Sequence, residues 1–227
     1  MKKGKTRATL VILRHGQTPY NAANLMTGRR DVPLTPKGEA QAAAVGALIR
    51  DMPIDKVYSS SLSRAFNTAA LALQAAGKNL PVEKRDEIVE ADNGDFTGRN
   101  HKTDPEIIAF GRIYGKRMPG GESDKDVVAR VRAFYEAEVL PRLLRGENVM
   151  IVAHSGVLRA FDIVLGIDPE PADGEPRNST RRVPNAAPAV YDYEDGAMKG
   201  FRYVENPKAL PHAANKNGKP AQKRNGL

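Results

Sequence analysis

The chain contains no cysteine among its 227 residues. This absence excludes disulfide bonds, thiolate nucleophiles and metal sites with cysteine ligands, and it leaves the redox compartment open. Long apolar runs are also missing. The apolar run that follows the basic start of the chain, residues 8–13, ends at Arg14. That run is too short for the apolar region of a signal peptide and far shorter than the roughly 20 residues of a membrane span. We therefore expect a protein of the cytoplasm that does not enter a membrane.

Acidic residues are missing from both ends of the chain. Residues 1–8 and 207–227 hold nine lysines and arginines, whereas the rest of the chain holds 26 basic and 27 acidic residues. The net charge of +8 therefore belongs to the ends, and the nearly neutral body argues against a nucleic-acid-binding domain. We expect one domain over residues 9–206, a basic extension at 1–8 and a disordered basic tail at 207–227. A contact of the tails with RNA or an anionic surface stays open.

Histidine is scarce, with four residues in the chain, and two of the four follow apolar runs. Residues 10–13 lead into Arg14-His15-Gly16, and residues 149–153 lead into His154-Ser155-Gly156. Short apolar runs that stop at glycine-containing loops are typical of central strands in an α/β sheet. Ligands bind such sheets at the carboxyl ends of the strands. We therefore expect both histidines at one edge of a sheet.

The remaining patterns predict strands that alternate with helices. Thr35-Pro36 predicts the start of a helix that ends before Pro53, and an alanine-rich helix should end near Gly77. Further predicted elements are strands at 56–59 and 82–90, helices at 105–110, 123–144 and 157–165, a loop at 168–188, and a hairpin of 189–193 and 201–204 around Asp195-Gly196. This alternation predicts a three-layer α/β/α sandwich with a mostly parallel central sheet.

The residues at the predicted strand ends support phosphoryl transfer. A neutral imidazole such as that of His15 can attack phosphorus if its other nitrogen is held as a donor, and cationic groups must then surround the phosphoryl oxygens. Arg14, Arg64 at a helix start and a protonated His154 would supply them. Glu90, at the end of an extended segment, would suit general acid/base work. Taken singly, Arg64 could equally be a solvated helix arginine and Glu90 a surface charge.

Five short motifs follow one another along the chain. The first is Leu13-Arg14-His15-Gly16-Gln17-Thr18, followed by Asn21, Asn24 and Thr27-Gly28. The others, in order, are Leu34-Thr35-Pro36-Lys37-Gly38, Ser59-Ser60-Ser61-Leu62-Ser63-Arg64-Ala65, Pro119-Gly120-Gly121-Glu122-Ser123 and His154-Ser155-Gly156-Val157-Leu158-Arg159-Ala160. Together these motifs resemble the histidine phosphatase superfamily, which includes the cofactor-dependent phosphoglycerate mutases. The resemblance covers about residues 9–205.

The resemblance implies a phosphohistidine mechanism without a metal ion. His15 would be the phosphorylated nucleophile, with Arg14, Arg64 and His154 around the phosphate and Glu90 as proton donor and acceptor. Substrate-binding residues would be Gly16, Asn21, Thr27, Gly28, Ser155 and Gly156. The partner would be a small phosphorylated metabolite, with no permanently bound cofactor and with 2,3-bisphosphoglycerate as phosphate primer if the enzyme is a mutase. A homo-oligomer stays open.

The branch of the superfamily is less determined by these motifs. Glu90-Ala91-Asp92-Asn93-Gly94 lacks an arginine and a tyrosine that the mutases carry, and His101 replaces their lysine. The mutases also carry two adjacent arginines before their Pro-Gly-Gly-Glu-Ser motif, and Arg112, Lys116 or Arg117 could stand in for them. The pair Ser155-Gly156 after the second histidine is closer to the sequence of the phosphatases. The first hypothesis is a mutase-like enzyme of glycolysis that interconverts 2- and 3-phosphoglycerate. The alternatives are a phosphatase for another small phosphomonoester and a noncatalytic phosphate-binding protein.

Overall fold

The computed structural model describes residues 5–177 and 183–208 of the chain. Its strands are β1 (Arg7–Arg14), β2 (Lys56–Ser60), β3 (Val82–Arg85), β4 (Val149–Ala153), β5 (Pro188–Glu194) and β6 (Ala197–Tyr203). Its helices are α1 (Pro19–Ala22), α2 (Pro36–Ile49), α3 (Ser63–Ala76), α4 (Pro105–Phe110), α5 (Asp124–Phe134), α6 (Leu140–Leu144) and α7 (Ser155–Val164).

The six strands form one sheet in the order β3-β2-β4-β1-β5-β6. Strands β3, β2, β4 and β1 run parallel, whereas β5 and β6 are antiparallel to their neighbours. The predicted mostly parallel sheet is therefore confirmed. In the β1–β4 pairing Arg14 lies opposite Ala153, so the next residue of each strand, His15 and His154, emerges at the same edge.

Side chains of β1 alternate between the two faces of the sheet. Leu10 and Ile12 pack in one core with residues of α5 and α7. Val11 and Leu13 pack in a second core with residues of α2 and α3. Because successive strand residues point to opposite faces, an unbroken apolar run such as this one is what a strand covered on both faces requires. The three-layer arrangement is confirmed.

Several predicted boundaries agree with local chemistry in the structure. The Thr35 side chain caps α2 by accepting a hydrogen bond from the Gly38 N–H at 3.0 Å, and Gly77 ends α3 in a left-handed conformation. Helix α4 spans the predicted residues, with Asp104 as its cap. The terminal hairpin of β5 and β6 is also confirmed.

Five boundaries differ from the prediction, one of them in the hairpin, where β6 begins at Ala197 instead of residue 201. Strand β3 ends at Arg85 instead of residue 90, because Arg85 lies opposite Ser60, the last residue of β2, and no residue of β2 remains to pair with. A 3₁₀ turn (Asp86–Ile88) follows. The predicted helix at 123–144 is divided into α5, a π-helical turn (Tyr135–Val139) and α6, where Pro141 lacks an N–H for a regular hydrogen bond. Helix α7 begins at Ser155, directly after His154. Strand β1 begins at Arg7, inside the predicted extension.

Parts of the predicted tails and of the predicted loop lie outside the described residues, namely 1–4, 178–182 and 209–227. Within the described part of the chain, no helix is both long enough and apolar enough to span a membrane. The same described residues contain no cluster of three or more histidine or acidic side chains arranged to hold a metal ion.

Candidate active site

His15 is held at the end of β1 with a defined tautomer. Its Nδ1 lies 2.6 Å from the Gly16 carbonyl oxygen, and a carbonyl oxygen only accepts hydrogen bonds, so Nδ1 carries the hydrogen. Burial, together with the charges of Arg14 and Arg64, holds the pKa of His15 well below its usual range. The ring is therefore neutral at pH 7, and Nε2 keeps its lone pair. This is the state that a nucleophilic imidazole needs.

Two arginines lie beside this ring, each anchored by backbone carbonyls. Arg14 donates from Nη1 to the Val183 carbonyl at 3.0 Å. Arg64, which is fully buried, donates to the carbonyls of Arg30 and Gly28, both at 2.9 Å. Burial lowers the pKa of Arg64 to about 10, which leaves it charged at neutral pH. In both arginines Nε is buried without a hydrogen-bond partner among the described residues.

His154 lies directly before α7, and its ring centre is 5.1 Å from that of His15. Its Nε2 is 2.8 Å from Ser60 Oγ, which also accepts a hydrogen bond from the Leu62 N–H and can donate its own proton to Nε2. Burial and the charge of Arg64 hold the pKa of His154 well below its usual range. The expected third positive charge is therefore absent at neutral pH. His154 is instead a neutral ring whose Nδ1 is buried without a partner among the described residues.

These three nitrogens, Arg14 Nε, Arg64 Nε and His154 Nδ1, are polar atoms that the described fold leaves unsatisfied. Buried donors without partners are uncommon, since each costs free energy comparable to a lost hydrogen bond. Their presence on three residues around His15 indicates a site for an acceptor-rich anion. Phosphate oxygens have this chemistry.

Glu90 reaches the same pocket from the loop after β3. Its Oε1 accepts a hydrogen bond from the Gly156 N–H at 3.1 Å, and its Oε2 accepts one from Ser155 Oγ at 3.3 Å. The first turn of α7 therefore orients the carboxylate. A Cβ atom at Gly156 would lie 2.4 Å from Glu90 Oε1, so the approach depends on glycine at this position.

These residues line a cavity of about 320 Å³. Nine of the eleven residues that the sequence predicts for the site contribute to its lining, namely Arg14, His15, Asn21, Thr27, Gly28, Arg64, Glu90, Ser155 and Gly156. His154 is not among the lining residues, although its ring centre is 5.1 Å from that of His15. Gly16 faces away from the cavity, because its N–H donates to Thr68 Oγ1 at 3.0 Å and its Cα packs tightly against Gly38.

The structure also distinguishes among the three basic residues suggested as stand-ins. Arg112 lines the cavity. Lys116 lies over the ring of Phe110, and Arg117 forms an exposed ion pair with Asp126 at 2.8 Å. Neither contributes to the cavity.

Sequence reasoning missed other residues of the pocket. Asn185 donates from Nδ2 to the His15 carbonyl at 2.9 Å and also contacts Asn21. Asp124 and Arg159 line the cavity, and Ser60 contacts His154. Arg159 and Ser60 lie inside the motifs already noted, so their position next to predicted site residues was a signal. Asn185 lies in the stretch 183–191, which also resembles the mutases, whereas Asp124 had no signal.

Comparison with known proteins places these motifs in a family. The family model of the histidine phosphatase superfamily (branch 1) matches residues 10–198. The chain belongs to this superfamily. The resemblance to this superfamily that the short motifs indicated is thus confirmed over most of the chain.

Relatives and solved structures within the superfamily differ in their described activities. The chain is 42% identical over 165 residues to the 2,3-bisphosphoglycerate-dependent phosphoglycerate mutase of Methylobacterium radiotolerans, covering 69% of this chain and 78% of that protein. It is 39% identical over 168 residues to the enzyme of the same name from Cytophaga hutchinsonii, covering 71% and 79%.

Solved structures similar to the chain include two phosphatases. A mycobacterial glucosyl-3-phosphoglycerate phosphatase is 27% identical, with a TM-score of 0.67 over 88% of this chain and 99% of that one. The alpha-ribazole phosphatase of Shigella flexneri is 29% identical, with a TM-score of 0.71 over 89% and 98%. Phosphatases as well as mutases are therefore similar to the chain. The chain is an enzyme of the phosphotransfer or phosphatase type.

Proposed function

We propose that the chain is a phosphoglycerate mutase-like enzyme that interconverts 2- and 3-phosphoglycerate through a phosphohistidine at His15. The observation that carries the proposal is the neutral His15 ring, with Nδ1 bound to the Gly16 carbonyl, beside the unsatisfied Nε donors of Arg14 and Arg64. The names of the relatives at about 40% identity support the mutase over other phosphotransferases. A cavity of about 320 Å³ suits a small phosphorylated metabolite.

In the first half of the proposed reaction, Nε2 of His15 attacks phosphorus and the bond from phosphorus to the substrate oxygen breaks. Protonated Glu90 gives its proton to the leaving alkoxide, because general acid catalysis is needed for a poor leaving group. Arg14 and Arg64 stabilise the charge on the equatorial phosphoryl oxygens. The arriving phosphate also raises the pKa of His154, since an opposite charge favours the imidazolium.

In the second half the phosphoryl group leaves Nε2 for an acceptor oxygen, and the Glu90 carboxylate takes the proton of that acceptor. An acceptor hydroxyl of phosphoglycerate gives mutase activity, with 2,3-bisphosphoglycerate as the primer that loads His15. Water as acceptor gives phosphatase activity. A phosphatase for another phosphomonoester is the second candidate, because Ser155-Gly156 follows His154 and two similar solved structures are phosphatases.

The deciding assay follows 3-phosphoglycerate with and without 2,3-bisphosphoglycerate, in excess chelator, and measures both 2-phosphoglycerate and inorganic phosphate. Formation of 2-phosphoglycerate that depends on the primer supports the mutase. Release of inorganic phosphate without 2-phosphoglycerate would replace the mutase by the phosphatase. Binding of phosphoglycerate without either product would indicate a noncatalytic phosphate-binding protein.

Labelling tests the nucleophile independently of the substrate. Incubation with a labelled phosphomonoester should give one acid-labile phosphohistidine, and His15→Ala should abolish it, because the proposed nucleophile is the Nε2 lone pair of His15. His212→Ala, in the basic tail, is the matched control and should retain the label. Label that persists in His15→Ala would remove the proposed mechanism.

A further inference from the structure

The segment around Glu90 is held on both sides by one pair of side chains. On one side, the Glu87 carbonyl accepts a hydrogen bond from Arg130 Nη1 at 2.7 Å. On the other side, the Asp92 N–H donates to Glu122 Oε2 at 2.9 Å. Glu90 comes three residues after Glu87 and two residues before Asp92. Its backbone therefore has a fixed point on either side.

Arg130 and Glu122 bind each other through two contacts. Arg130 Nε lies 3.1 Å from Glu122 Oε1, and Arg130 Nη2 lies 3.2 Å from Glu122 Oε2. The two side chains are 17% and 15% exposed. A guanidinium that meets a carboxylate through two hydrogen bonds is fixed in orientation as well as in position. Because Nη1 binds the Glu87 carbonyl, every nitrogen of this side chain has a partner.

Helix α5 anchors the pair to the core of the molecule. Arg130 lies on α5, beside Val127 and Val131, which belong to the core that α5 shares with α7. The first turn of α7 holds the Glu90 carboxylate through the Gly156 N–H. One helix therefore fixes the backbone around Glu90 and the other fixes its carboxylate, and both helices pack in the same core.

Backbone packing brings Glu122 to the Glu90 segment. Gly121 packs against the Asp92 carbonyl and Gly94 packs against the Pro119 carbonyl, and neither glycine has room for a Cβ atom. The Glu122 N–H also donates to the Asp92 carbonyl at 2.9 Å. The two turns are therefore joined by their backbones without the ion pair, so the ion pair has a different effect.

Glu122 has a second cationic partner in Arg29. Its Oε1 lies 2.9 Å from Arg29 Nη2, and the Arg29 side chain is 46% exposed. Solvent therefore screens this ion pair more strongly than the one with Arg130. Without Arg130, Glu122 would keep a charged partner, but the Glu87 carbonyl would lose its contact with α5.

We infer that the Arg130–Glu122 pair positions Glu90 for proton transfer. Neither Arg130 nor Glu122 lines the cavity, so both act through Glu90 and are positioning residues. The inference rests on the proposed function, in which Glu90 gives a proton to the leaving oxygen. A displacement of about 1 Å at a reacting group can cost about 10²-fold in rate, so the fixed points beside Glu90 affect the chemistry directly.

The test measures single-turnover phosphorylation of His15 by two donors. 2,3-Bisphosphoglycerate has an alkoxide leaving group that needs the proton of Glu90, whereas 4-nitrophenyl phosphate has a leaving group that does not. Arg130→Met should slow loading from 2,3-bisphosphoglycerate about 10²-fold and leave loading from 4-nitrophenyl phosphate nearly unchanged. In the Glu90→Gln background the same substitution should have no further effect, because no proton donor is left to position.

Two further variants show whether a loss comes from Glu90 or from folding. Arg130→Met/Glu122→Gln removes both charges of the pair, so it leaves neither one uncompensated; it should fold and show the same selective loss on 2,3-bisphosphoglycerate. Arg130→Lys keeps the charge and should restore part of the rate. Arg132→Met is the matched control, because Arg132 lies on the same helix and pairs with Glu170 at 2.6 Å; it should leave both rates unchanged.

Equal losses on the two donors, in Arg130→Met and in Arg130→Met/Glu122→Gln, would overturn the inference and make the pair a purely structural contact. A full additional loss in the Glu90→Gln background would overturn it as well. Failure of the proposed function gives a different result, in which 2,3-bisphosphoglycerate leaves no label on His15 of the unmodified enzyme.

Discussion

At the scale of single residues, Glu90 is the group whose proposed role is easiest to separate from simple positioning. A proton donor matters for an alkyl phosphate, whose leaving oxygen is strongly basic, and much less for an aryl phosphate. Glu90→Gln should therefore slow transfer from an alkyl phosphate by about 10²- to 10⁴-fold, with a much smaller effect on an aryl phosphate. The comparison of single-turnover rates on both substrates measures this.

The same variant should still accept phosphate on His15, because Arg14, Arg64 and His154 are unchanged. Equal losses on alkyl and aryl substrates would mean that Glu90 positions the pocket. The next carboxylates to test would then be Asp92 and Asp95, which follow it in the chain.

At the scale of elements, the contact between the end of β1 and the start of α2 holds the His15 loop in place. A Cβ atom on Gly38 would lie 2.1 Å from the Gln17 carbonyl oxygen, which is backbone and cannot rotate away. Glycine to alanine inside a helix normally stabilises by about 1 kcal/mol. Here the clash should reverse the sign, and Gly38→Ala should lower the free energy of unfolding by on the order of 1–3 kcal/mol.

Urea denaturation of Gly38→Ala measures this, with Gly200→Ala as its control. No atom lies within 4 Å of a Cβ built on Gly200, so that variant should be nearly neutral. A Gly38→Ala protein as stable as the unmodified chain would show that the β1–α2 contact is not tight in solution.

At the scale of the whole molecule, stability should depend on pH through the two buried histidines. Their pKa values in the folded chain lie well below 6.5, whereas the unfolded chain binds these protons near pH 6.5. Below that pH the unfolded chain holds more protons, so the free energy of unfolding falls as pH decreases, by up to about 1.4 kcal/mol per pH unit for each proton.

Inorganic phosphate should weaken this pH dependence, because an anion beside His154 favours its protonated form. Urea midpoints between about pH 7.5 and about pH 5, with and without phosphate, measure the effect. His154→Gln should flatten the profile, and an unchanged slope in that variant would contradict the assignment of the effect to the buried pair.

The basic tail is a second property of the whole molecule. Before the tail, Asn206 is buried and donates from Nδ2 to the carbonyls of Ala186 at 2.7 Å and Gln41 at 3.0 Å. Deletion of residues 210–227 keeps this anchor and should leave turnover of a small substrate within a few-fold, because the proposed chemistry uses none of the deleted residues. Steady-state assays of the truncated chain check this, and a collapse in turnover would show that the tail takes part.

Local patterns in the sequence were sufficient to predict that Arg14, His15 and His154 lie at one edge of the sheet, whereas Arg64 needed the family resemblance. Apolar runs identify buried strands, and parallel strands end at one edge of a sheet, so residues directly after such runs are brought together whatever the details of packing. Thr35 and Gly77 cap their helices through hydrogen bonds to residues a few positions away in the chain, so a local pattern was enough to predict them. The break in the helix at 123–144 was missed, because the apolar spacing continues through the π-helical turn.

By itself, therefore, the sequence determined the sheet, the family and nine of the residues that line the cavity beside His15, because these depend on periodicity and short motifs. Only the tertiary structure decided that Glu90 accepts a hydrogen bond from the Gly156 N–H, which is 66 residues away, and that Arg112 lines the cavity while Lys116 and Arg117 do not. Those contacts join segments far apart in the chain, and their geometry depends on how whole elements pack against one another, which no local pattern records.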